Sequence, residues 1–456
     1  VTTMNDDPHQ KIASAVSSSL TRRQAIRRLG LAGGAAVFLP NIIPSRLLGQ
    51  SAPSNQVNIL AIGCGRQAIH TNLPTIIALP QTRVVAVCDV DRNRAIKTKN
   101  SVDRRQGDKD CRVFTDHREA LEMPGLDAVM ISSTDHWHVI HALDAIAKGL
   151  HVSCEKPLTR YLAEGRLIAD AANKAGIVFR TDTECRSHGY MTRVAELAMN
   201  GYLGKLTRIE AAVPTDRGGG KGDPTPIPIP ENLDYDRWLG PAPFKEYAAD
   251  RVHPDENFSR PGWMRILDYC EGMISNWGTH LLDVAQLING TERSGPVEVS
   301  ATGEAGKPKP GLGLWDVLIK FNAKFVYADG FVIDYVNAVP YLRVEGEEGW
   351  LQAHWGSKGG LKASDPSLLR IRPGDADTRV PKRQDKADWI EGITKGQPVM
   401  IDAEVGHRTC SLGQIAHIAV QRGKRLDWNP DTEQFTNDDE ANKLLVGTYR
   451  APYTLP

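Results

Sequence analysis

The sequence predicts an α/β protein: a doubly wound parallel sheet followed by an α+β domain built on a mostly antiparallel sheet. Three observations carry this. Short, continuous apolar runs alternate with helical stretches as far as residue 183, the pattern of strands covered on both faces. The texture then changes to strand-like runs that follow one another without helices. Between the two lies a long irregular stretch, 214–261, with nine prolines and the run Gly218-Gly219-Gly220.

QVNILAIG (56–63), TRVVAVCDVD (82–91), LDAVMISS (126–133), GLHVSCEK (149–156) and GIVFRTD (176–182) read as five strands. Helical patterns separate them near 69–79, 92–100, 117–122, 138–148 and 161–175. Right-handed crossovers of that length give a parallel sheet with helices on both faces. Beyond it, a helix at 190–200 leads into LTRIEAAV (206–213), and a helical pattern covers 272–289. Strand-like runs follow at 297–303, 315–321, 331–336, 342–353 and 369–373, and helices near 383–394 and 402–422 precede a polar tail. The expected domains are 53–183 and 184–456, the second carrying the insert 214–261.

Composition narrows the function classes. Lysine plus arginine and aspartate plus glutamate both total 55, and a balanced chain lacks the basic excess of a nucleic-acid binder. The seven cysteines form no CxxC pair and no metal-type spacing, so they read as buried thiols, with no metal site. Residues 1–52 read as a signal and linker. Arg22-Arg23, the apolar run Leu29 to Leu39, and small residues around Gly49-Gln50-Ser51-Ala52 look like a twin-arginine export signal. The run is too short to span a bilayer. The expectation is a periplasmic or otherwise exported protein, carried folded by the twin-arginine machinery. The alternative is a basic amphipathic helix on a cytoplasmic protein.

The first strand runs into Gly63-Cys64-Gly65-Arg66-Gln67-Ala68, a G-x-G-x-x-A turn that opens a helix. Gly63 allows the tight turn, Gly65 lets a pyrophosphate approach the backbone, and Ala68 lets helix and strand pack closely. Unpaired N–H groups at the helix start then face the phosphates. Asp89, at the end of the second strand, can accept hydrogen bonds from both ribose hydroxyls and repels a 2′-phosphate, so NAD is favoured over NADP despite nearby Arg92 and Arg94. This is a Rossmann-type layout. Thr134, His136 and Trp137 follow the third strand at the carboxyl edge where such sheets bind ligands, His136 and Trp137 flanking the nicotinamide. His138 there serves the same edge or opens the following helix structurally. Arg66, Gln67, Glu155 and Lys156 join the cofactor-binding candidates. Arg186, after the fifth strand, is a candidate substrate contact, and Trp238, Trp263 and Tyr269 are aromatics suited to a sugar face or to core packing.

Taken together, the G-x-G-x-x-A turn, STDHWH (133–138), EKP (155–157) and NWGTHLLD (276–283) resemble the glucose–fructose oxidoreductase/inositol dehydrogenase (Gfo/Idh/MocA) family over nearly the whole chain after the signal. The resemblance implies a nicotinamide cofactor acting on the carbinol carbon of a sugar or polyol. It also implies a large open sheet that often mediates oligomers, here a homodimer or homotetramer. Lys156 would then be the catalytic lysine on the reacting oxygen, Pro157 the family's often-cis proline, and His280 the residue that moves the hydroxyl proton. Asp283 matches the acid three positions on. Asn276 stands where many relatives have an acid, which leaves His280 as the single base. On a helix 276, 280 and 283 share a face, so Asn276, His280 and Asp283 are expected to meet the substrate. Export implies a tightly held, recycled cofactor. The alternatives are redox-neutral glycoside hydrolysis or epimerisation, and a non-catalytic sugar- or NAD-binding protein.

Overall fold

The computed structural model describes residues 56–253, 260–306, 313–355 and 360–455. The expected export signal, and residues 254–259 of the insert, lie outside the described residues.

Six strands form the first sheet: β1 (Val57–Ile62), β2 (Thr82–Cys88), β3 (Arg112–Phe114), β4 (Ala128–Ile131), β5 (His151–Glu155) and β6 (Phe179–Asp182). Their order is β3-β2-β1-β4-β5-β6 and every pairing is parallel. Strands covered by helices on both faces bury successive residues, and β4 and β6 are buried throughout. Each fully buried Val, Ile or Met of β4 contributes about 1.5–3 kcal/mol of transfer free energy. β3 was not among the expected strands: three half-exposed residues at a sheet edge carry no periodic pattern. The order reverses between β1 and β4, which opens a crevice at the carboxyl ends of those strands.

The second sheet holds β7 (Leu206–Val213), β8 (Glu298–Ala305), β9 (Leu318–Val326), β10 (Val332–Asn337), β11 (Tyr341–Gly346), β12 (Gly349–His354), β13 (Leu361–Ala363), β14 (Leu426–Asn429) and β15 (Gln434–Phe435). Their order is β13-β12-β11-β7-β10-β9-β8-β14-β15, antiparallel except for β7 beside β10. Here burial alternates along β9, β10, β11 and β12, because helices cover one face alone. That covered face is packed by helices Gly189–Met199, Gly278–Asn289 and Ala403–Arg422.

Four expectations need correction. The run 342–353 is two strands, not one, folded back at Glu347-Glu348. The run 369–373 is not a strand: Leu368–Arg370 is a short 3₁₀ turn, and the edge position belongs to β13. The polar tail is structured, with β14, β15 and the helix Asp439–Lys443. The helical pattern 272–289 divides at Trp277 into Met273–Asn276 and Gly278–Asn289. The seven cysteines are all buried free thiols. No helix among the described residues is long and apolar enough to cross a membrane.

Candidate active site

The glycine turn is dictated by close packing. Gly63 sits at φ +89°, and a Cβ there would lie 2.5 Å from the backbone of Ser132, at the end of the neighbouring β4. A Cβ on Gly65 would meet nothing within 4 Å, so that backbone is open to an approaching ligand. Ala68 is fully buried in the strand–helix contact. Asp89 steadies the turn: one carboxylate oxygen accepts from Cys64 N–H at 2.7 Å and the other from Asp91 N–H at 2.8 Å. Gly63, Gly65, Arg66, Gln67, Asp89, Thr134, Trp137, Glu155 and Lys156 all line one cavity of about 340 Å³, which continues to Asn276 and His280. An open glycine backbone with a carboxylate at the end of β2 fits a dinucleotide, which these residues would hold along the carboxyl edge of the sheet.

Lys156 leaves the end of β5, and the peptide joining it to Pro157 is cis. His138 reaches across from the next crossover and places Nδ1 2.9 Å from the Pro157 carbonyl, so its role is to tie two strand ends together. Lys156 Nζ donates to the backbone and side-chain oxygens of Asn276, each at 3.2 Å. His280 Nδ1 pairs with Thr183 Oγ1 at 3.0 Å, which leaves Nε2 for a substrate. Burial, reinforced by the Lys156 cation, pushes the His280 imidazole well below its ordinary range, so the ring is neutral and can accept a proton. Trp355 and Trp277 pack beside it, with ring centroids 5.1 and 6.1 Å from the imidazole. Glu155 is pushed up to about 7 by burial and then by the Asp182 carboxylate, and accepts from Asn72 Nδ2 at 2.9 Å. Asp182 in turn pairs with the fully buried Lys386.

Three expected site residues lie elsewhere. His136 turns away from the cavity: its ring packs 5.0 Å from Tyr269, its Nε2 lies 3.3 Å from the Trp238 carbonyl, and burial pushes its pKa down to about 3. Arg186 and Asp283 bind each other. Arg186 Nε and Nη2 donate to the two Asp283 oxygens at 2.8 and 2.7 Å, and neither residue lines the cavity. Sharing a helix face with His280 was insufficient, because one turn further along Asp283 is fully buried beneath the site. Trp137 does line the cavity, yet its indole N–H donates to the Trp238 carbonyl at 3.1 Å and its ring stacks on His141. Of the aromatics in or beside the insert, Trp238 and Trp263 line the cavity and Tyr269 is core.

The Pro-rich insert wraps the cofactor edge. Arg92 N–H donates to the Asn232 carbonyl at 2.9 Å, Asp234 N–H to the Val90 carbonyl at 3.0 Å, and His253 Nε2 lies 3.2 Å from Asp91. Gly240 packs against the Trp137 ring so closely that a Cβ would collide with it. The tail then clasps the insert: Arg450 N–H donates to the Pro241 carbonyl, and Tyr453 packs edge-on against Trp137. Glu184, His253, Arg260, Trp355 and Tyr453 are cavity residues that no motif pointed to, and Trp277 lay within NWGTHLLD without being singled out. The aromatic content around 277 and 355 was the available signal, but a core tryptophan reads the same.

A dinucleotide-type groove running into a lysine–histidine pair, the lysine at the end of β5 and the histidine on the helix Gly278–Asn289, defines a two-domain oxidoreductase class. Comparison with known proteins gives the family. Residues 57–183 match the oxidoreductase family's NAD-binding Rossmann fold and residues 217–455 its C-terminal alpha/beta domain, so the chain belongs to the Gfo/Idh/MocA oxidoreductase family. Myo-inositol 2-dehydrogenase of Thermotoga maritima is 30% identical over 189 residues, 40% of this chain and 49% of that protein. The chain spans about half the length of the curated relatives it matches. Among solved structures, an aldose-aldose oxidoreductase from Caulobacter crescentus, complexed with glycerol, superposes with a TM-score of 0.60 at 17% identity, covering 82% of this chain and 99% of that one. GenD2 from gentamicin A biosynthesis, in complex with NAD, superposes at 0.59 and 18% identity, covering 82% and 97%. At these identities the structural likeness is one of fold.

Proposed function

We propose that this protein oxidises or reduces the CH–OH carbon of a sugar, polyol or glycoside with a tightly held NAD. A bound nicotinamide supplies the hydride acceptor or donor. Lys156 hydrogen-bonds the reacting oxygen and stabilises charge developing on it, and His280 Nε2 takes the hydroxyl proton as the alcohol becomes a carbonyl. In the reverse direction the same nitrogen returns it. Asn276 cannot ionise. It holds Lys156 Nζ in place through two oxygens, so the proton passes through His280 alone. The observation that carries this reading is the convergence of Lys156, Asn276 and His280 at the end of the glycine-turn cavity.

Retention of the cofactor is supported by the insert and tail, whose contacts lie along the β2 edge and against Trp137. The sequence-based expectations of export by the twin-arginine route and of a homodimer or homotetramer belong to the same proposal. Outside the cytoplasm, a retained NAD must be returned to its starting state within each cycle.

The test is sugar-driven change in the absorbance of cofactor carried through purification, with no NAD added. Lys156→Ala should lower turnover by about 10²–10³-fold or more while cofactor stays bound. Turnover unchanged in that variant overturns the assignment. Protein that arrives without cofactor and works only with added NAD overturns the retention.

A further inference from the structure

We propose that Arg260 forms an anion subsite in the active-site cavity, and that the substrate is an acidic sugar whose carboxylate it receives. This rests on the oxidoreductase reading above and names its substrate class.

Arg260 lines the same cavity as Lys156 and His280. Its guanidinium is poorly partnered for a group so enclosed, with 19% of the side chain exposed. Nε and Nη2 are sealed from solvent and find no hydrogen-bond partner among the described residues. Nη1 donates to the Met273 thioether at 3.2 Å, a weak acceptor for a cation. Among the described residues the carboxylate facing it is Asp216, whose Oδ2 forms a long ion pair with Nη2 at 3.7 Å, beyond hydrogen-bond reach, and accepts no hydrogen bond itself. Its Oδ1 accepts from Arg265 Nε at 3.0 Å and from Gly218 N–H at 2.8 Å. One carboxylate thus serves two guanidiniums. Arg66, on the glycine turn, adds a further cation along the same wall, and burial, aided by Arg265 and Arg66, holds the Arg260 pKa down against the opposing Asp216 charge.

A largely enclosed guanidinium held by one long ion pair and a thioether is incompletely compensated, and an arriving anion adds the charged acceptor that Nη1 lacks. Nη1 is the nitrogen such an anion meets, displacing the thioether, and a carboxylate is the acceptor best suited to a guanidinium. Met273 opens the short helix that ends at Asn276, the residue holding Lys156. A sugar acid with its carboxylate on Arg260 therefore reaches toward the lysine–histidine pair. The other source of an anion in this cavity is the pyrophosphate of the cofactor, and the experiment separates the two.

Calorimetric binding to the purified, cofactor-loaded protein is measured with glucuronate against glucose and galacturonate against galactose. The acid should bind more tightly than its aldose by about ten- to a hundredfold, the range of a hydrogen bond to a charged group. Arg260→Gln should collapse that ratio and Arg260→Lys should retain part of it, both variants being checked for native thermal unfolding. Equal binding of acid and aldose by the parent protein overturns the proposal. So does a loss of bound cofactor in Arg260→Gln with the ratio intact, because the anion is then the pyrophosphate. Binding is read without turnover. An acid preference that disappears in Arg260→Gln while no sugar reduces the cofactor supports the subsite and overturns the redox reading.

Discussion

Replacing Arg186 or Asp283 separates a structural pair from a substrate contact. The two bonds between them, 2.8 and 2.7 Å, are made where Arg186 is 5% and Asp283 0% exposed. Removing one member of such a pair costs about 3–5 kcal/mol, because the other charge stays buried without compensation. The two removals are unequal. Without Asp283, the Arg186 guanidinium keeps Glu292 at 2.9 Å and the Met400 carbonyl at 3.0 Å, so Asp283→Ala falls at or below the bottom of that range. Without Arg186, the Asp283 carboxylate loses both bonds in a site closed to water, and Arg186→Met falls in its upper half. Urea unfolding reads both costs, and the double variant gives the coupling between them. KM for the sugar substrate should hold in both variants, since neither residue lines the cavity. A raised KM with unchanged unfolding would falsify the pairing argument and return both residues to the substrate.

Two pH predictions follow from burial. Because His280 is held well below its ordinary range, the base form persists to lower pH, and the acid limb of kcat/KM should fall below about 6.5. A limb at or above the ordinary histidine value speaks against His280 as the base, or against its burial. Glu155 is shifted the other way, to about 7, so the folded protein holds a proton that the unfolded chain has already released. The stability this contributes is complete below the ordinary glutamate range and is lost as pH rises toward 7. Relative to Glu155→Gln, the parent protein should lose stability between pH of about 4.5 and 7, read by urea unfolding across that window. Parallel curves for the two proteins contradict the assigned shift.

Much of this molecule is legible in its residues because the physics involved is local. A strand buried on both faces is mostly apolar, and β1, β2 and β4 announce themselves that way, whereas β6 buries Arg180 and Asp182 by pairing them. A turn that must fit against Ser132 needs glycine, so Gly63 marks the groove. Lys156 at a strand end and His280 on a helix were visible as residues of suitable chemistry, and the sheet topology brings them to one cavity. Three-residue β3 and the hairpin of β11 and β12 were harder to read, since short edges and tight turns leave little periodic pattern.

What sequence alone could not decide was the direction in which a side chain points once distant segments meet. His136 and Trp137 are adjacent, yet the insert carbonyl at Trp238 draws one ring out of the cavity and leaves the other in its wall. Arg186 and Asp283 are 97 positions apart, and their mutual pairing takes them from the substrate into the core. Arg260 became informative through what surrounds it: a thioether, and a carboxylate already shared with Arg265. Composition and periodicity report the burial a segment requires, whereas partner choice depends on which charges and carbonyls the completed fold brings within about 3 Å.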